Sequence, residues 1–314
     1  MVSSRPMTDE ERIPKPARPL DWLWPVDRAH LLYLLGTTIL LIVHRTKAPG
    51  AHAWIVVNLV LLIALIVIVR RWTELASGSK ARMVFTLAVI PIVFTQLGSL
   101  VPYVTSKGQE QALFDLDLWL CFGTNPVEAT QHLANPWLTE VLQWVYDFYF
   151  FITLILGAAI LRRGREIDLA RINHAFVTCV YLSYVGYYLV PARGPNIDPL
   201  GLYSFDGPMP GVFLATELRE TIFLIEKIKQ DCFPSGHTAV SLLALTLAYR
   251  FARGVVPLLW PLVCALIFST VYLRYHYLTD VLAGIVLALG THWYALRRHR
   301  SFETRTWGWH GQPS

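Results

Sequence analysis

Charge is scarce in this 314-residue chain: 16% of its residues are charged and 54% are hydrophobic. Soluble domains carry about 25% charged residues, so this composition excludes an ordinary soluble protein. The Lys and Arg residues are scattered between apolar runs and do not gather on one polar face, which argues against nucleic acid as a partner. The expected solvent for most of the surface is therefore lipid.

Metal-binding and nucleotide-binding patterns are also missing. The four cysteines show no CxxC spacing, no histidine cluster accompanies them, and there is no Gly-rich nucleotide loop or acidic metal cluster. Residues 1–28 are rich in proline and charge and lack the apolar core of a secretory signal. The sequence predicts neither a metal nor a cofactor, and it predicts that the chain begins with a cytoplasmic tail.

Apolar windows dominate the remaining sequence. A helix needs roughly 20 mostly apolar residues to cross a membrane. The sequence predicts about eight such helices, at residues 29–43, 53–68, 84–104, 137–161, 172–190, 235–251, 255–272 and 279–296. A mixed segment at 112–135 is typical of an interfacial re-entrant piece. The expected fold is an all-α polytopic membrane helix bundle.

The polar connections between these windows alternate in their content of Lys and Arg. By the positive-inside rule, an even number of spans with this alternation predicts that both termini are cytoplasmic. We expect a tail at 1–28, two accessory helices within 29–83, a six-helix catalytic core at 84–296 and a cytoplasmic tail at 297–314. The short loops favour a bacterial plasma membrane.

Three polar clusters interrupt the apolar pattern, and this topology puts all three at helix ends on the non-cytoplasmic side. They are Pro-Ala-Arg-Gly-Pro at 191–195, Phe-Pro-Ser-Gly-His at 233–237 and Arg-Tyr-His-Tyr-Leu-Thr-Asp at 274–280. The connection at 191–234 is long, and long loops are usually functional. The sequence therefore predicts a single site built from all three clusters.

The second cluster has the features of an anion-binding helix start. Pro234 and Ser235 are typical of a helix N-terminus, whose free N–H groups and dipole attract phosphate, with Gly236 beside them and His237 projecting towards the anion. Taken alone, the same residues also fit a simple N-cap followed by a hydrated interfacial histidine. The interpretation of this cluster as a phosphate site therefore depends on the two other clusters.

The third cluster pairs a histidine with a carboxylate. His276 and Asp280 are spaced i, i+4, which brings them within hydrogen-bonding reach on one helix face. A carboxylate there selects the imidazole tautomer and strengthens the opposite ring nitrogen as a nucleophile. Arg193 and Arg274 are the natural phosphate ligands, because a guanidinium matches two phosphate oxygens and stays charged. An aromatic belt with arginines that reach the lipid headgroups is the alternative interpretation.

At these clusters the chain resembles the type 2 phosphatidic acid phosphatase superfamily, over residues 84–296. Pro-Ser-Gly-His at 234–237 agrees with the family's second motif, and His276 with Asp280 agrees with its His-x-x-x-Asp third motif. The first motif differs, because Gly186 stands at its lysine position and Gly194 follows Arg193. Thr270 stands at the arginine position of the third motif. The pattern is more similar to the inositol phosphorylceramide synthase branch, and more distantly to sphingomyelin synthases.

The resemblance implies a mechanism. His276 would attack phosphorus and form a phosphohistidine, Asp280 would orient His276, and His237 would act as general acid and then base. Arg193 and Arg274, with Ser235 and Gly236, would bind the phosphate. The implied substrate is a lipid phosphate or phospholipid in the membrane, and the acceptor is water or a hydroxyl group. Neither a metal nor another cofactor takes part in this scheme.

Other classes of function remain open at this stage. An anion or lipid transporter without catalytic chemistry can use Arg193 and Arg274, although transporters usually place polar groups near the midplane. A zinc hydrolase can use His237, His276 and Asp280 as ligands. A vanadate-binding haloperoxidase shares the superfamily site but not this membrane pattern. A disulfide between Cys121 and Cys232, both in non-cytoplasmic connections, is a separate hypothesis.

Overall fold

The computed structural model describes residues 23–105 and 107–307. Over these residues the chain forms twelve α-helices and two short 3-10 helices, at Thr130–Leu133 and Arg253–Val255, and no strand. The α-helices are α1 (Pro25–Val43), α2 (Ala51–Arg71), α3 (Leu75–Val104), α4 (Glu110–Leu120), α5 (Pro126–Ala129), α6 (Pro136–Asp147), α7 (Tyr149–Leu161), α8 (Glu166–Leu189), α9 (Ala215–Ile225), α10 (Gly236–Phe251), α11 (Val256–Tyr272) and α12 (Leu278–Trp307).

Five of the described helices are long and apolar enough to cross a membrane: α1, α2, α3, α11 with its preceding 3-10 turn, and α12. Helices α6 and α7 make a sixth if they count as one span, bent by 48° between them. The window predicted at 137–161 is therefore interrupted near Phe148. The protein is an integral membrane protein with an all-α polytopic bundle, as the sequence predicts.

The two other predicted windows form α8 and α10, which lie inside the bundle. Helix α10 packs against α7, α8, α11 and α12, and buries a row of small and branched apolar side chains there. Helix α8 buries Asp168, Asn173 and His174 along with its apolar residues. Helix α8 can carry polar residues because it contacts protein on most sides, and α10 has only 16 residues, so neither is a long, uniformly apolar span.

The C-terminal helix is longer than the sequence predicts. Helix α12 continues through Trp307, so the tail predicted at 297–314 is helical over its first residues. The carboxylate of Glu303 accepts hydrogen bonds from Arg171 Nε and Nη2 at 2.8 and 2.6 Å, which ties this extension to α8. The remaining tail residues, 1–22 and 308–314, lie outside the described part of the chain.

The segment predicted as an interfacial piece, 112–135, forms most of α4 together with α5 and a 3-10 turn, and these short helices contact α11 and α12. The buried carboxylate of Asp117 on α4 accepts hydrogen bonds from the backbone N–H groups of Leu278 and Thr279, at 2.9 and 2.8 Å. Free N–H groups at a helix start favour such an anionic partner. Helix α4 therefore fixes the beginning of α12, which starts two residues after His276.

Candidate active site

Helix α10 begins at the second polar cluster, as the sequence predicts. Ser235 is its N-cap, and the Ser235 hydroxyl accepts a hydrogen bond from Thr238 N at 3.3 Å. A side chain at Gly236 would begin 2.7 Å from the Tyr187 hydroxyl, so the tyrosine would have to move to admit it. The backbone of Ser235 also donates to the Asp280 carbonyl at 3.0 Å, which joins the second cluster to the third.

His276 and Asp280 form the predicted pair, although His276 lies two residues before α12 begins. His276 Nδ1 is 3.3 Å from Asp280 Oδ2, and Tyr277 N donates to the same oxygen at 3.0 Å. Asp280 thus caps α12 and accepts from the imidazole with one oxygen. Both residues are buried. With Nδ1 occupied in this way, Nε2 of His276 is the nitrogen available to a substrate.

Cys232 is a third member of this group. Its thiol donates to Asp280 Oδ2 at 2.7 Å and lies 3.5 Å from His276 Nδ1. Burial and the neighbouring Asp280 charge raise the pKa of the Cys232 thiol well above its usual value, which keeps it protonated as a donor. Cys121 and Cys232 are both free thiols, so the hypothesis of a disulfide between them is wrong. Sequence spacing alone does not reveal the contact of Cys232 with Asp280 and His276.

His237 lies between aromatic rings and faces the second histidine. The rings of His237 and His276 are 5.8 Å apart between centroids. Tyr146 stacks on His237 at 4.3 Å, with its hydroxyl 3.4 Å from His237 Nδ1, and Tyr149 packs against the ring at 4.5 Å. The bend between α6 and α7 separates these two tyrosines along the chain, and no sequence motif marks them. The structure therefore brings His237, His276 and Asp280 together.

The first polar cluster packs directly on the third. The carbonyl of Arg193 accepts from the Tyr277 hydroxyl at 3.1 Å, and Asn196 N donates to the Arg274 carbonyl at 2.8 Å. A side chain at Gly194 would meet the Tyr275 carbonyl oxygen at 2.5 Å, so only glycine fits there. Gly194 is therefore a packing requirement within the Arg-Gly-Pro sequence. The Arg193 side chain is half-buried, and its backbone N donates to Glu110 at 3.2 Å.

The family's lysine position has no room for a lysine in this protein. A side chain at Gly186 would begin 2.2 Å from Pro234 Cδ, in the turn before α10. At the family's arginine position, Thr270 is fully buried, and its carbonyl accepts from the backbone N of Tyr275 and of His276, each at 3.0 Å. The departure at Gly186 thus follows from the close approach of Pro234, and Thr270 occupies a fully buried position.

Arg274 lies in the connection between α11 and α12 and is 8% exposed. Its φ angle of 65° is in the left-handed region, which costs a non-glycine residue roughly 1 kcal/mol. Nη1 donates to the Gly207 carbonyl at 2.9 Å, and the guanidinium lies over the Phe205 ring, 3.8 Å from its centroid. Arg274 Nε is buried without a partner among the described residues. Such a group fits a site for an anion.

Two carboxylates border the site from the loop before α10. Burial raises the pKa of Asp231 to about 6, against a smaller opposing effect of His276. Burial and then the Asp231 charge raise the pKa of Glu226 to about 8. Both groups therefore bind protons more readily than ordinary carboxylates.

Asp147, which the sequence places inside an apolar window, accepts a hydrogen bond from Gln143 Nε2 at 3.1 Å.

One trio of buried side chains has the donor types of a metal site. The thiol of Cys232, a ring nitrogen of His276 and a carboxylate oxygen of Asp280 all lie within 4.8 Å of one another. Zinc accepts each of these donors. This trio contains Cys232 in place of His237, so it differs from the ligand set expected for a zinc hydrolase from the sequence.

The fold and this arrangement define an integral membrane protein with a two-histidine site at one end of a helix bundle. The sequence profile of the PAP2 superfamily matches residues 111–294, more than half of the chain and all three polar clusters. The chain therefore belongs to the PAP2 superfamily, as its motifs indicate. No curated protein and no solved structure matches the chain significantly.

Membership of this superfamily supports a phosphatase-type enzyme that acts on lipid phosphates in a membrane.

Proposed function

We propose that this protein is a membrane-embedded phosphoryl-transfer enzyme that acts on lipid phosphates through a phosphohistidine. The observation that supports the proposal best is the approach of the His237 and His276 rings to 5.8 Å, with Asp280 on the inner nitrogen of His276. A nucleophile, a group that orients it and a second proton-transfer group are the parts that such chemistry needs.

In the first step, Nε2 of His276 attacks phosphorus. The N–P bond forms as the bond from phosphorus to the leaving oxygen breaks, and His237 gives its proton to that oxygen. Asp280 holds Nδ1–H at 3.3 Å and stabilises the positive charge that develops on the imidazole. Cys232 shares the same carboxylate oxygen and helps to fix its position.

In the second step, His237 removes a proton from the acceptor hydroxyl. The acceptor oxygen attacks phosphorus, the N–P bond breaks, and both histidines return to their starting states. Water as acceptor gives hydrolysis, and an alcohol gives transfer of a phospho-head group. Arg193, Arg274 and the start of α10, with Ser235 and Gly236, bind the phosphate oxygens, because arginine and free helical N–H groups favour oxyanions.

Head-group transfer of the inositolphosphotransferase type is the finer form of the proposal. It rests on Arg-Gly-Pro at 193–195 and Arg-Tyr-His-Tyr at 274–277, which differ from the phosphatase motifs. The absence of space for a lysine at Gly186 agrees with this branch. We further propose that both termini are cytoplasmic, that the site opens on the non-cytoplasmic face of a bacterial plasma membrane, and that residues 84–296 form the six-helix catalytic core.

The test is phosphate release from a panel of lipid phosphates and phospholipids by purified protein in detergent with EDTA. Acceptor alcohols, including inositol, run in parallel. Wild type is compared with His276→Ala and with His52→Ala, which removes an exposed histidine at the start of α2. We expect turnover that resists EDTA, survives His52→Ala and falls at least a thousandfold in His276→Ala, as for loss of a catalytic nucleophile.

Activity that is unaffected by His276→Ala would contradict the mechanism. Absence of turnover over the whole panel would favour an anion or lipid transporter, which lipid or anion flux in proteoliposomes then measures.

A metal-dependent hydrolase is a second candidate, supported by the Cys232, His276 and Asp280 trio. It predicts turnover that EDTA abolishes and added zinc restores. Cys232→Ser separates the two mechanisms, since it keeps a hydrogen-bond donor for Asp280 but removes the thiolate that zinc prefers. The phosphohistidine mechanism predicts that Cys232→Ser retains activity in EDTA.

A further inference from the structure

A second arginine lies beside Arg274 and belongs to no motif. Arg219 is on α9, the short helix in the long connection before α10, and its Nη1 donates to the Met209 carbonyl at 3.0 Å. Arg274 Nη1 donates to the Gly207 carbonyl at 2.9 Å. Two guanidinium groups from distant parts of the sequence thus donate to backbone carbonyls that are two residues apart, at Gly207 and Met209, in the loop before α9.

Most of the remaining donors of this pair are buried and unused. Nε and Nη2 of Arg219 and Nε of Arg274 have no hydrogen-bond partner among the described residues. Arg274 is more than nine-tenths buried. A buried cationic donor without a partner is unfavourable, so native proteins rarely leave several of them together. A ligand that accepts these hydrogen bonds removes the penalty.

The two charges also repel each other without a compensating ion pair. Burial and then the Arg219 charge lower the pKa of Arg274. The acidic groups that face the pair are Asp206, near Arg274, and Asp147, near Arg219. Neither guanidinium forms a salt bridge in the described part of the chain. Asp147 Oδ1 accepts a hydrogen bond from Gln143, and Asp147 Oδ2 accepts none from either arginine. The pair therefore keeps an attraction for an anion.

Tyr275 connects this pair to the histidines. Its ring stacks on Tyr146 at 4.5 Å, and Tyr146 stacks on His237 at 4.3 Å. Its hydroxyl donates to Gln143 Oε1 at 3.0 Å and also faces Arg219. The two arginines thus lie beside the aromatic rings that pack on His237.

We propose that Arg219 joins Arg274 in a phosphate-binding subsite that docks the anionic headgroup of the lipid substrate at the edge of the active site. The subsite rests on the proposed function. Arg219 would be a specificity-determining residue of that function outside the superfamily motifs. Planar guanidinium forks with open Nε and Nη2 positions fit a tetrahedral oxyanion in two-point geometry. Inorganic phosphate has the same chemistry as the headgroup, so the test has to separate the two.

The first test compares steady-state kinetics of the full-length protein and Arg219→Gln with a short-chain lipid phosphate in detergent. We expect KM to rise about tenfold or more and kcat to stay within about twofold, since a hydrogen bond to a charged group is lost on binding. Arg219→Lys keeps the charge without the fork, so its KM should lie between the two. Arg45→Gln removes an exposed charge from the loop between α1 and α2 and should leave KM unchanged.

A purely structural role for Arg219 predicts a different pattern. In that case the bond to Met209 supports the loop, Arg219→Gln lowers kcat and the thermal midpoint together, and KM does not rise. If Arg219→Gln does not fold, Arg219→Lys carries the same KM criterion. An unchanged KM in a folded Arg219 variant would overturn the subsite and leave the proposed function intact.

The second test measures binding without turnover. In a His276→Ala background, calorimetry measures the affinity for the short-chain lipid phosphate and for inorganic phosphate, with and without Arg219→Gln. We expect both affinities to fall about tenfold. Loss of inorganic phosphate binding alone would contradict headgroup docking. If the wild-type protein turns over no lipid phosphate, binding that depends on Arg219 would retain the subsite and reject the enzyme.

Discussion

Arg82 and Arg274 are two buried arginines in very similar settings. Arg82 is 2% exposed, lies 4.0 Å from the Trp24 ring centroid and donates to the Trp72 carbonyl at 2.9 Å. Arg274 is 8% exposed, lies 3.8 Å from the Phe205 ring centroid and donates to the Gly207 carbonyl at 2.9 Å. Each guanidinium therefore has an aromatic face and a backbone carbonyl.

The two settings differ in one partner. Arg82 Nε donates to both carboxylate oxygens of the fully buried Asp27, at 2.9 and 3.0 Å, and ties α1 to α3. Arg274 forms no salt bridge in the described part of the chain, and Arg219 lowers its pKa more than Asp206 raises it. A buried charge that supports the fold is neutralised within the protein, whereas a buried charge left without a counter-ion is suited to a ligand.

The largest effect should come from breaking the neutralised pair. Asp27→Asn leaves the Arg82 guanidinium buried without its counter-charge, so we expect the free energy of unfolding to fall by about 3–5 kcal/mol. Unfolding by SDS in mixed micelles, followed by tryptophan fluorescence, measures the change. Asp115→Asn removes an exposed carboxylate and should change stability by less than about 0.5 kcal/mol. Equal stability of Asp27→Asn and wild type would refute this account of Arg82.

Removal of the unpaired charge should act on catalysis instead. Arg274→Gln takes away a phosphate ligand, and we expect kcat/KM for a lipid phosphate to fall about 10- to 100-fold, equivalent to about 1.4–2.7 kcal/mol. Because Arg274 has no counter-ion, the free energy of unfolding should change by less than about 1 kcal/mol. Arg82→Gln is the matched variant and should show the reverse, with lower stability and near-normal kcat/KM per folded molecule. Equal changes in stability and in kcat/KM for Arg274→Gln and Arg82→Gln would contradict the distinction between a ligand-binding arginine and one that supports the fold.

The smallest effect should be a pH dependence from the carboxylates beside the site. Between pH 4.5 and about 8 the unfolded chain releases the Glu226 proton that the folded protein keeps, so rising pH favours unfolding over that range. Asp231 adds to this loss between pH 3.8 and about 6. The unfolding midpoint should therefore fall from pH 6 to 9. Glu226→Gln should flatten that decline, and Glu220→Gln, an exposed change on α9, should not.

The sequence predicts the class of fold well because lipid imposes a simple requirement on it. Long apolar windows mark α1, α2, α3, α11 and α12, and the structure has helices at each of them. The bend near Phe148 and the extension of α12 to Trp307 are not visible in hydropathy. They depend on contacts between helices, such as the bonds of Arg171 to Glu303.

The features of the site likewise fall into those that the sequence predicts and those that depend on tertiary contacts. Ser235 as an N-cap and the approach of His276 to Asp280 are short-range features, so their spacing in the sequence is enough to predict them. Cys232 and Tyr146 reach the histidines from other segments, and no motif marks either residue. The incorrect disulfide hypothesis arose because loop position alone does not say which partner a thiol meets.

By itself the sequence determined the membrane bundle, the helix start at Ser235 and the pairing of His276 with Asp280, because each depends on hydropathy or on neighbours within one helical turn. Only the tertiary structure decided that His237 faces His276, that Gly186 and Gly194 have no room for a side chain, and that Arg219 lies beside Arg274. Those relations join segments far apart in the chain, and packing between helices and loops sets them.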